Sequence, residues 1–391
     1  MTDNAALFYV PDGYDTSGSK LMGRQAAGEA FLRGFAGFAD IDRLVCCSHD
    51  ATCYDRFRQQ LAFFRQDTLT EVLRPPLPTQ YVSSSDHVSL SKIGCLFYPS
   101  PALAPLAWGR RGVQSAAYSL CGITHTTASL AIMDALAELI VAPLEPWDAV
   151  ICTSHAVKKM VEHFFQGYAA DLQQRFGSSV CFRGQLPVIP LGVDCRQFDR
   201  RREEYKKGLP ATGITAFDEL LSSRNEEEVR VLFVGRLAFH AKAHPLPMYL
   251  ALEEVARRST KNIHLILAGW FANDSIRQTF VDGAERFCPS VTLTLLDGRL
   301  KLVREYVWYT ADIFCSLSDN IQETFGITPL EAMAATLPVV VTDWNGYRET
   351  VKDGQDGFRI PTAQPPSGCA EHIAQAYANR SLNYDRYIGY L

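Results

Sequence analysis

Short apolar runs punctuate the chain at 7–10, 44–47, 95–98, 149–153 and 187–189, and again at 229–234, 263–268, 291–296, 313–317 and 339–342. They are too continuously apolar to leave one face wet, so they predict strands of parallel sheets covered by helices on both sides. A further strand is expected at 117–121, ahead of Gly122-Ile123-Thr124-His125-Thr126. Between the runs, apolar residues recur at helical spacing. One stripe joins Ala27, Phe31, Phe35 and Phe38; another joins Tyr249, Leu252, Val255 and Ala256. The apolar segment 130–143 is broken by Asp134 and Glu138, which predicts a buried helix rather than a membrane span. Strand–helix alternation of this kind predicts an α/β protein with two doubly wound domains.

The alternation is interrupted around 199–228, where charged residues dominate and periodicity is weak. The expected division is a first domain at 1–200, a charged linker or excursion at 201–228, a second domain at 229–370 and a tail at 371–391 that either ends there or crosses back to the first domain. After Ile360 about one helix-length of chain remains, and its aromatic-rich end reads as the beginning of a longer element.

Composition changes this picture little. A length of 391 residues suits two domains, and 47% hydrophobic with 21% charged residues is the balance of a soluble globular protein. A net charge of -5 supplies no general basic field, so nucleic acid is not an expected partner. The first residues show neither a basic region nor a long apolar run, so no signal peptide is expected. Eleven cysteines are scattered along the chain. Cys46, Cys47, Cys53 and His49 cluster but lack zinc-site spacing, so no metal is expected there and the thiols are read as buried or free. Reduced thiols point to the cytoplasm.

The strongest chemical signal is Glu323-Thr324-Phe325-Gly326-Ile327-Thr328-Pro329-Leu330-Glu331. Thr328 is a good helix N-cap, Pro329 suits the first helical position and Glu331 then falls at the third. Such a helix start offers free amides and the positive end of a dipole to a diphosphate. The same residues also fit a capping box, in which Glu331 merely closes the helix end. A second signal is the run 231–234 ending at Gly235-Arg236, with Lys242 following. Ligands of such folds sit at the carboxyl ends of strands. A cation about 4 Å from a phosphate charge contributes up to about 4 kcal/mol at an effective dielectric near 20. Two of them can stand in for a divalent metal, or they can be a solvated pair at a strand end. A third signal, Gly192-Val193-Asp194 followed by Phe198, is by itself a turn. Asp40-Ile41-Asp42 resembles a metal-binding pair but precedes a strand, the wrong edge for a ligand. Trp344-Asn345-Gly346 is a turn after the 339–342 strand.

Together these segments resemble the family 4 (group 1) retaining glycosyltransferases, over roughly 145–361 well and more loosely before it. The resemblance implies the GT-B fold, with two Rossmann-like domains facing a central cleft, and metal-independent transfer of a sugar from a nucleotide diphosphate donor. The nucleotide sugar is then a co-substrate and no further cofactor is implied. The acceptor would be a glycan, a lipid-linked or a small-molecule hydroxyl, with peripheral membrane contact allowed and no transmembrane segment. Arg236 and Lys242 would bind the diphosphate, Glu331 the ribose hydroxyls and Glu323 the transferred sugar. The amides of Phe325, Gly326 and Ile327 would help fix phosphates and sugar. His125 would match the active-site histidine of the first domain, or be an ordinary strand-end histidine.

Three departures stand out. Lys242 comes one residue later after Gly235 than is usual, with His240 and His244 beside it. The glycine-rich loop after the first strand is replaced by 11–20, where Gly13 and Gly18 can still bring backbone near a phosphate and Lys20 or Arg24 can meet donor or acceptor. The alternative is a plain strand-to-helix connection. The long C-terminal helix that crosses back to the first domain is expected to be mostly absent. Two rival functions remain. One is a nucleotide-sugar epimerase or hydrolase, told apart by whether nucleotide release depends on an acceptor. The other is a non-catalytic nucleotide-sugar-binding subunit, which would bind donor without transfer.

Overall fold

The apolar runs form two parallel six-stranded sheets in a computed structural model that describes residues 4–16, 23–67, 77–223, 225–363 and 368–390. The chain divides into two compact units, Met1–Gly192 and Val193–Leu391. The first holds β1 (Ala6–Phe8), β2 (Leu44–Ser48), β3 (Thr79–Ser83), β4 (Cys95–Phe97), β5 (Ser119–Ile123) and β6 (Ala149–Ile151), in the order β3-β2-β1-β4-β5-β6. The second holds β7 (Glu228–Arg236), β8 (Asn262–Trp270), β9 (Thr292–Asp297), β10 (Ile313–Ser316), β11 (Val339–Thr342) and β12 (Gly357–Ile360), in the order β12-β11-β10-β7-β8-β9. Each is a doubly wound sheet. The winding reverses between β1 and β4 in the first unit and between β7 and β10 in the second, and a crevice opens beyond the carboxyl ends at such a reversal.

The unbroken apolar runs follow from burial on both faces. On β7, Leu232 enters one core with Ile266, Phe314 and Val341, while Val231 and Phe233 enter the other with Leu265, Leu267 and Tyr249. In the first unit Leu96, Leu120, Leu136 and Val150 fill one side, and Leu7, Leu32, Cys46 and Phe57 the other. Within 201–228 lie parts of two helices, Cys195–Lys206 and Thr215–Ser222, whose Phe198, Phe217 and Leu220 join the second unit's core.

Several local expectations are corrected. The run 187–189 forms no strand, only a bridge between Val188 and Cys152; Pro187 and Pro190 lack the amides a ladder needs. The strand expected at 117–121 starts two residues later, at Ser119. Phe38, the last residue of the helix Gly23–Phe38, is 58% exposed, and Val255 points outward while Met248 and Glu253 turn in. The helix Leu130–Val141 buries one face through Ala135, Leu136, Leu139 and Ile140, and leaves its two ends open. Strands β3 and β12 have no counterpart among the apolar runs. Both are edge strands, and β12 alternates outward Phe358 and Ile360 with half-buried Gly357 and Arg359.

Candidate functional site

At the reversal in the second unit, the chain leaving β7 meets the chain leaving β10. β7 ends on Arg236 and the loop after it carries Lys242, while the loop after β10 carries Asn320, Gln322 and Glu323. Asn320 donates to the His240 carbonyl at 2.8 Å, and the Ser318 hydroxyl donates to the Lys242 carbonyl at 2.6 Å. These bonds hold the two loops side by side. Trp344 donates its indole N–H to the Asn320 carbonyl (3.1 Å), and the Asn345 amide donates to the Glu323 carbonyl (2.5 Å). The turn after β11 thus braces the glutamate loop from behind.

Lys242 Nζ hydrogen-bonds to the Glu323 carboxylate, and both side chains are largely shielded. Burial disfavours the ammonium, but the adjacent Glu323 charge more than compensates and raises the lysine pKa above its usual value. Arg236 donates one Nη2 to the Ala241 carbonyl at 2.9 Å and a longer bond to Gln322 Oε1 at 3.3 Å. Burial pulls its pKa down from the ordinary arginine value, and it lies close enough to Lys242 for the two charges to act on each other. Two cations therefore share one shielded spot at the strand ends, and a carboxylate, Glu323, is paired with one of them.

The helix Ile327–Ala334 begins at Gly326, whose φ of 72° is left-handed. A Cβ there would fall 1.8 Å from the ring of Tyr347, so glycine is required for both conformation and space. A Cβ on Gly346 would likewise fall 2.5 Å from the Phe325 backbone. The cap is thus Gly326 rather than Thr328, and no side chain caps this helix. Thr328 and Pro329 lie inside its first turn, and the capping box does not form. The cause is the tight Gly326–Tyr347 packing, which starts the helix two residues early. Glu331 is left without a capping role. Its carboxyl sits in a shielded position where burial pushes the pKa up to about 7, against the opposing charges of Arg201, Lys242 and Arg304.

Of the residues singled out from the sequence, Arg236, Lys242, Glu323, Phe325, Gly326, Ile327 and Glu331 come together in this one region of the second unit. His125 lies in the first unit, just past the carboxyl end of β5; burial and the charge of Arg24 lower its pKa to about 4, so it is neutral at pH 7. Arg24 pairs with Asp12 at 2.5 Å. Gly13 packs against Val10 and Pro99 in the short helix Pro11–Tyr14. Gly18 and Lys20 lie outside the described residues. Asp194 caps the helix Cys195–Lys206 by accepting from the Arg196 amide. Asp40 and Asp42 stand before the amino end of β2. Ser318, Asn320 and Asn345 were not anticipated; only the Trp344-Asn345-Gly346 turn hinted at them, because their role depends on three loops meeting in space.

Residues 221–390 match the family model described as glycosyl transferases group 1. Curated relatives include alpha-monoglucosyldiacylglycerol synthase of Acholeplasma laidlawii, 27% identical over 176 residues, covering 45% of this chain and 40% of that protein. The putative glycosyltransferase EpsD of Bacillus subtilis (strain 168) is 39% identical over 121 residues, 31% of this chain and 30% of that one. Phosphatidyl-myo-inositol mannosyltransferase of Mycobacterium tuberculosis (strain ATCC 25618 / H37Rv) is 26% identical over 258 residues, 61% of each. The first of these matches spans less than half the length of its relative. Among solved structures, Anabaena HepE in complex with UDP shares the fold with a TM-score of 0.57 at 13% identity, covering 99% of this chain and 93% of that one. The two-domain α/β fold of such GT-B glycosyltransferases is therefore the fold of this chain.

Proposed function

We propose, from the group 1 glycosyl transferase domain that residues 221–390 form, that the protein is a retaining, metal-independent glycosyltransferase using a nucleotide diphosphate sugar. One observation carries this reading: the end of β7 and the loops after β7 and β10 bring Arg236, Lys242 and Glu323 to the carboxyl ends of the strands, beside the uncapped start of the helix bearing Glu331. Two cations at that place are suited to a leaving diphosphate.

In this reading Arg236 and Lys242 hold the diphosphate, with the amides of 325–327 at its other side. Lys242 is already paired with Glu323. When phosphate takes over that charge, the Glu323 carboxylate turns to accept hydroxyls of the transferred sugar. Glu331 accepts the ribose hydroxyls. The transition state is oxocarbenium-like. The acceptor attacks from the face the nucleotide leaves, and the departing phosphate takes its proton, so positioning and leaving-group stabilisation are the protein's task. His125, neutral at pH 7, can supply a hydrogen bond but no charge.

UDP is the first donor base to test, since a protein of the same fold carries it. Relatives named for diacylglycerol and phosphatidyl-myo-inositol products support a lipid-linked or glycan hydroxyl as acceptor, with contact at a membrane surface. Among the described residues no helix is long and apolar enough to cross a membrane. The eleven free cysteines support a cytoplasmic setting. The test is sugar transfer from UDP-, GDP- and ADP-sugars to lipid and glycan extracts, in EDTA. Turnover that survives EDTA and requires acceptor supports the reading; nucleotide release independent of acceptor, or none with any donor, overturns it.

A further inference from the structure

The helix Tyr384–Tyr390 lies directly on the cationic loop. Its one buried residue, Ile388, is 2% exposed and packs with Ala238 and Ala241, between Arg236 and Lys242, while Ile321 of the neighbouring loop joins the same cluster. A side chain on Gly389 would begin 3.2 Å from His240 Cβ, so the helix end sits close against the loop. At the helix start, Asp385 Oδ2 lies 3.8 Å from His240 Nε2, with the aspartate 69% exposed. Its charge also reaches Arg236, where it opposes the effect of burial on the guanidinium.

A carboxylate of the chain itself is thus held over the loop read here as the diphosphate clamp, on a two-turn helix seated by one buried residue, Ile388, with the half-buried Tyr384 and Tyr387 beside it. We propose that this helix is a displaceable anionic cover, in which Asp385 competes with the donor phosphates for the Arg236 loop and donor binding lifts the helix from its seat. The inference rests on the clamp reading above. A diphosphate brings several negative charges and outcompetes one exposed carboxylate, whereas a weaker anion faces a site whose field is partly cancelled.

Calorimetric titration of the full chain with UDP, GDP, ADP and inorganic pyrophosphate tests it, alongside Asp385→Asn, Ile388→Ala and Arg236→Ala. Removing the carboxylate is expected to tighten the best-bound probe roughly three- to tenfold at low salt, with the gain shrinking as salt screens it. Ile388→Ala, which unseats the helix without altering charge, is expected to tighten it as well. An Asp385→Asn affinity within about twofold of the parent, or weaker binding by Ile388→Ala, overturns the cover and makes the helix a plain buttress. The clamp reading fails separately, and the cover with it, if no probe binds the parent or if Arg236→Ala binds as tightly as the parent.

Discussion

Arg230 and Arg236 stand near the two ends of the same strand, β7, in unlike surroundings. Arg230, at the amino end, is 1% exposed; it donates to Glu228 at 2.5 Å, to the Leu220 carbonyl at 2.7 Å and to the Ser223 carbonyl at 3.1 Å. Glu228 in turn receives His264 Nδ1 at 2.9 Å. Arg236, at the carboxyl end, makes one good bond and one long one through a single nitrogen. The guanidinium at the amino end is committed to binding a helix and its following turn to the sheet. The one at the carboxyl end keeps donor capacity. The first unit repeats the committed kind in Arg110, which grips Asp148 bidentately at 2.6 and 2.7 Å while Asp148 also accepts the Leu120 and Glu145 amides. Both arginines of the committed kind spend two or more nitrogens on fixed protein partners, although Arg110 Nε is left without one; a guanidinium held through a single nitrogen is better placed to take up a ligand.

The comparison is most severely tested by deleting each arginine. Arg230→Ala removes the partner of a shielded carboxylate and three anchoring bonds, and is expected to cost about 3–5 kcal/mol of stability in urea denaturation. Arg236→Ala should lie within about 1 kcal/mol of the parent in the same assay. Equal losses would erase the distinction between the two ends of the strand.

Turnover should invert that ranking. Arg236→Ala or Lys242→Ala is expected to lower kcat by about 10²–10³ while the fold persists, by analogy with loss of a single oxyanion donor. Near-parental turnover in either variant removes it from the clamp. A smaller effect, on both stability and nucleotide binding, is expected from Gly326→Ala. A side chain there is strained by the left-handed backbone and collides with Tyr347, with a cost of order 1–3 kcal/mol in thermal denaturation. An unperturbed melting curve would mean that this loop relaxes without loss.

The same contrast explains what the sequence made legible. Central strands such as β7, β8 and β11 announce themselves because both faces are buried, as Leu232 and Phe233 show by entering opposite cores. Edge strands β3 and β12 do not, since β3 is half-buried throughout apart from Val82, and Phe358 and Ile360 of β12 face solvent. Arg236 and Lys242 were readable as cations following the apolar run 231–234, and Glu323 and Glu331 as carboxylates on either side of a helix start, with their roles implied by the family resemblance. The bonds that set their geometry were not. Ser318, Asn320 and Asn345 act through backbone carbonyls of other loops, and no spacing along one segment encodes that. Thr328 misled for the related reason that a good local cap is overruled by the contact between Gly326 and Tyr347.

The subtlest test concerns Glu331, the acid that the helix start does not use. A glutamate of the unfolded chain titrates near 4.5, and Glu331 in the fold near 7. Between those values the folded chain holds a proton that the unfolded chain has released. The stabilising contribution of this residue is therefore fully present below about 4.5 and is lost as pH rises toward 7. If Glu331 holds the ribose as proposed, nucleotide binding runs in the opposite direction, because only an ionised carboxylate can accept from both ribose hydroxyls. UDP affinity is expected to rise by a few-fold as pH climbs through the Glu331 titration, with a slope of about one proton. Glu331→Gln should bind UDP more weakly above pH 7 and with a flat profile across the same range. A profile in the Gln variant that still bends where the parent's does would assign the titration to another group and leave Glu331 as a passive wall of the site.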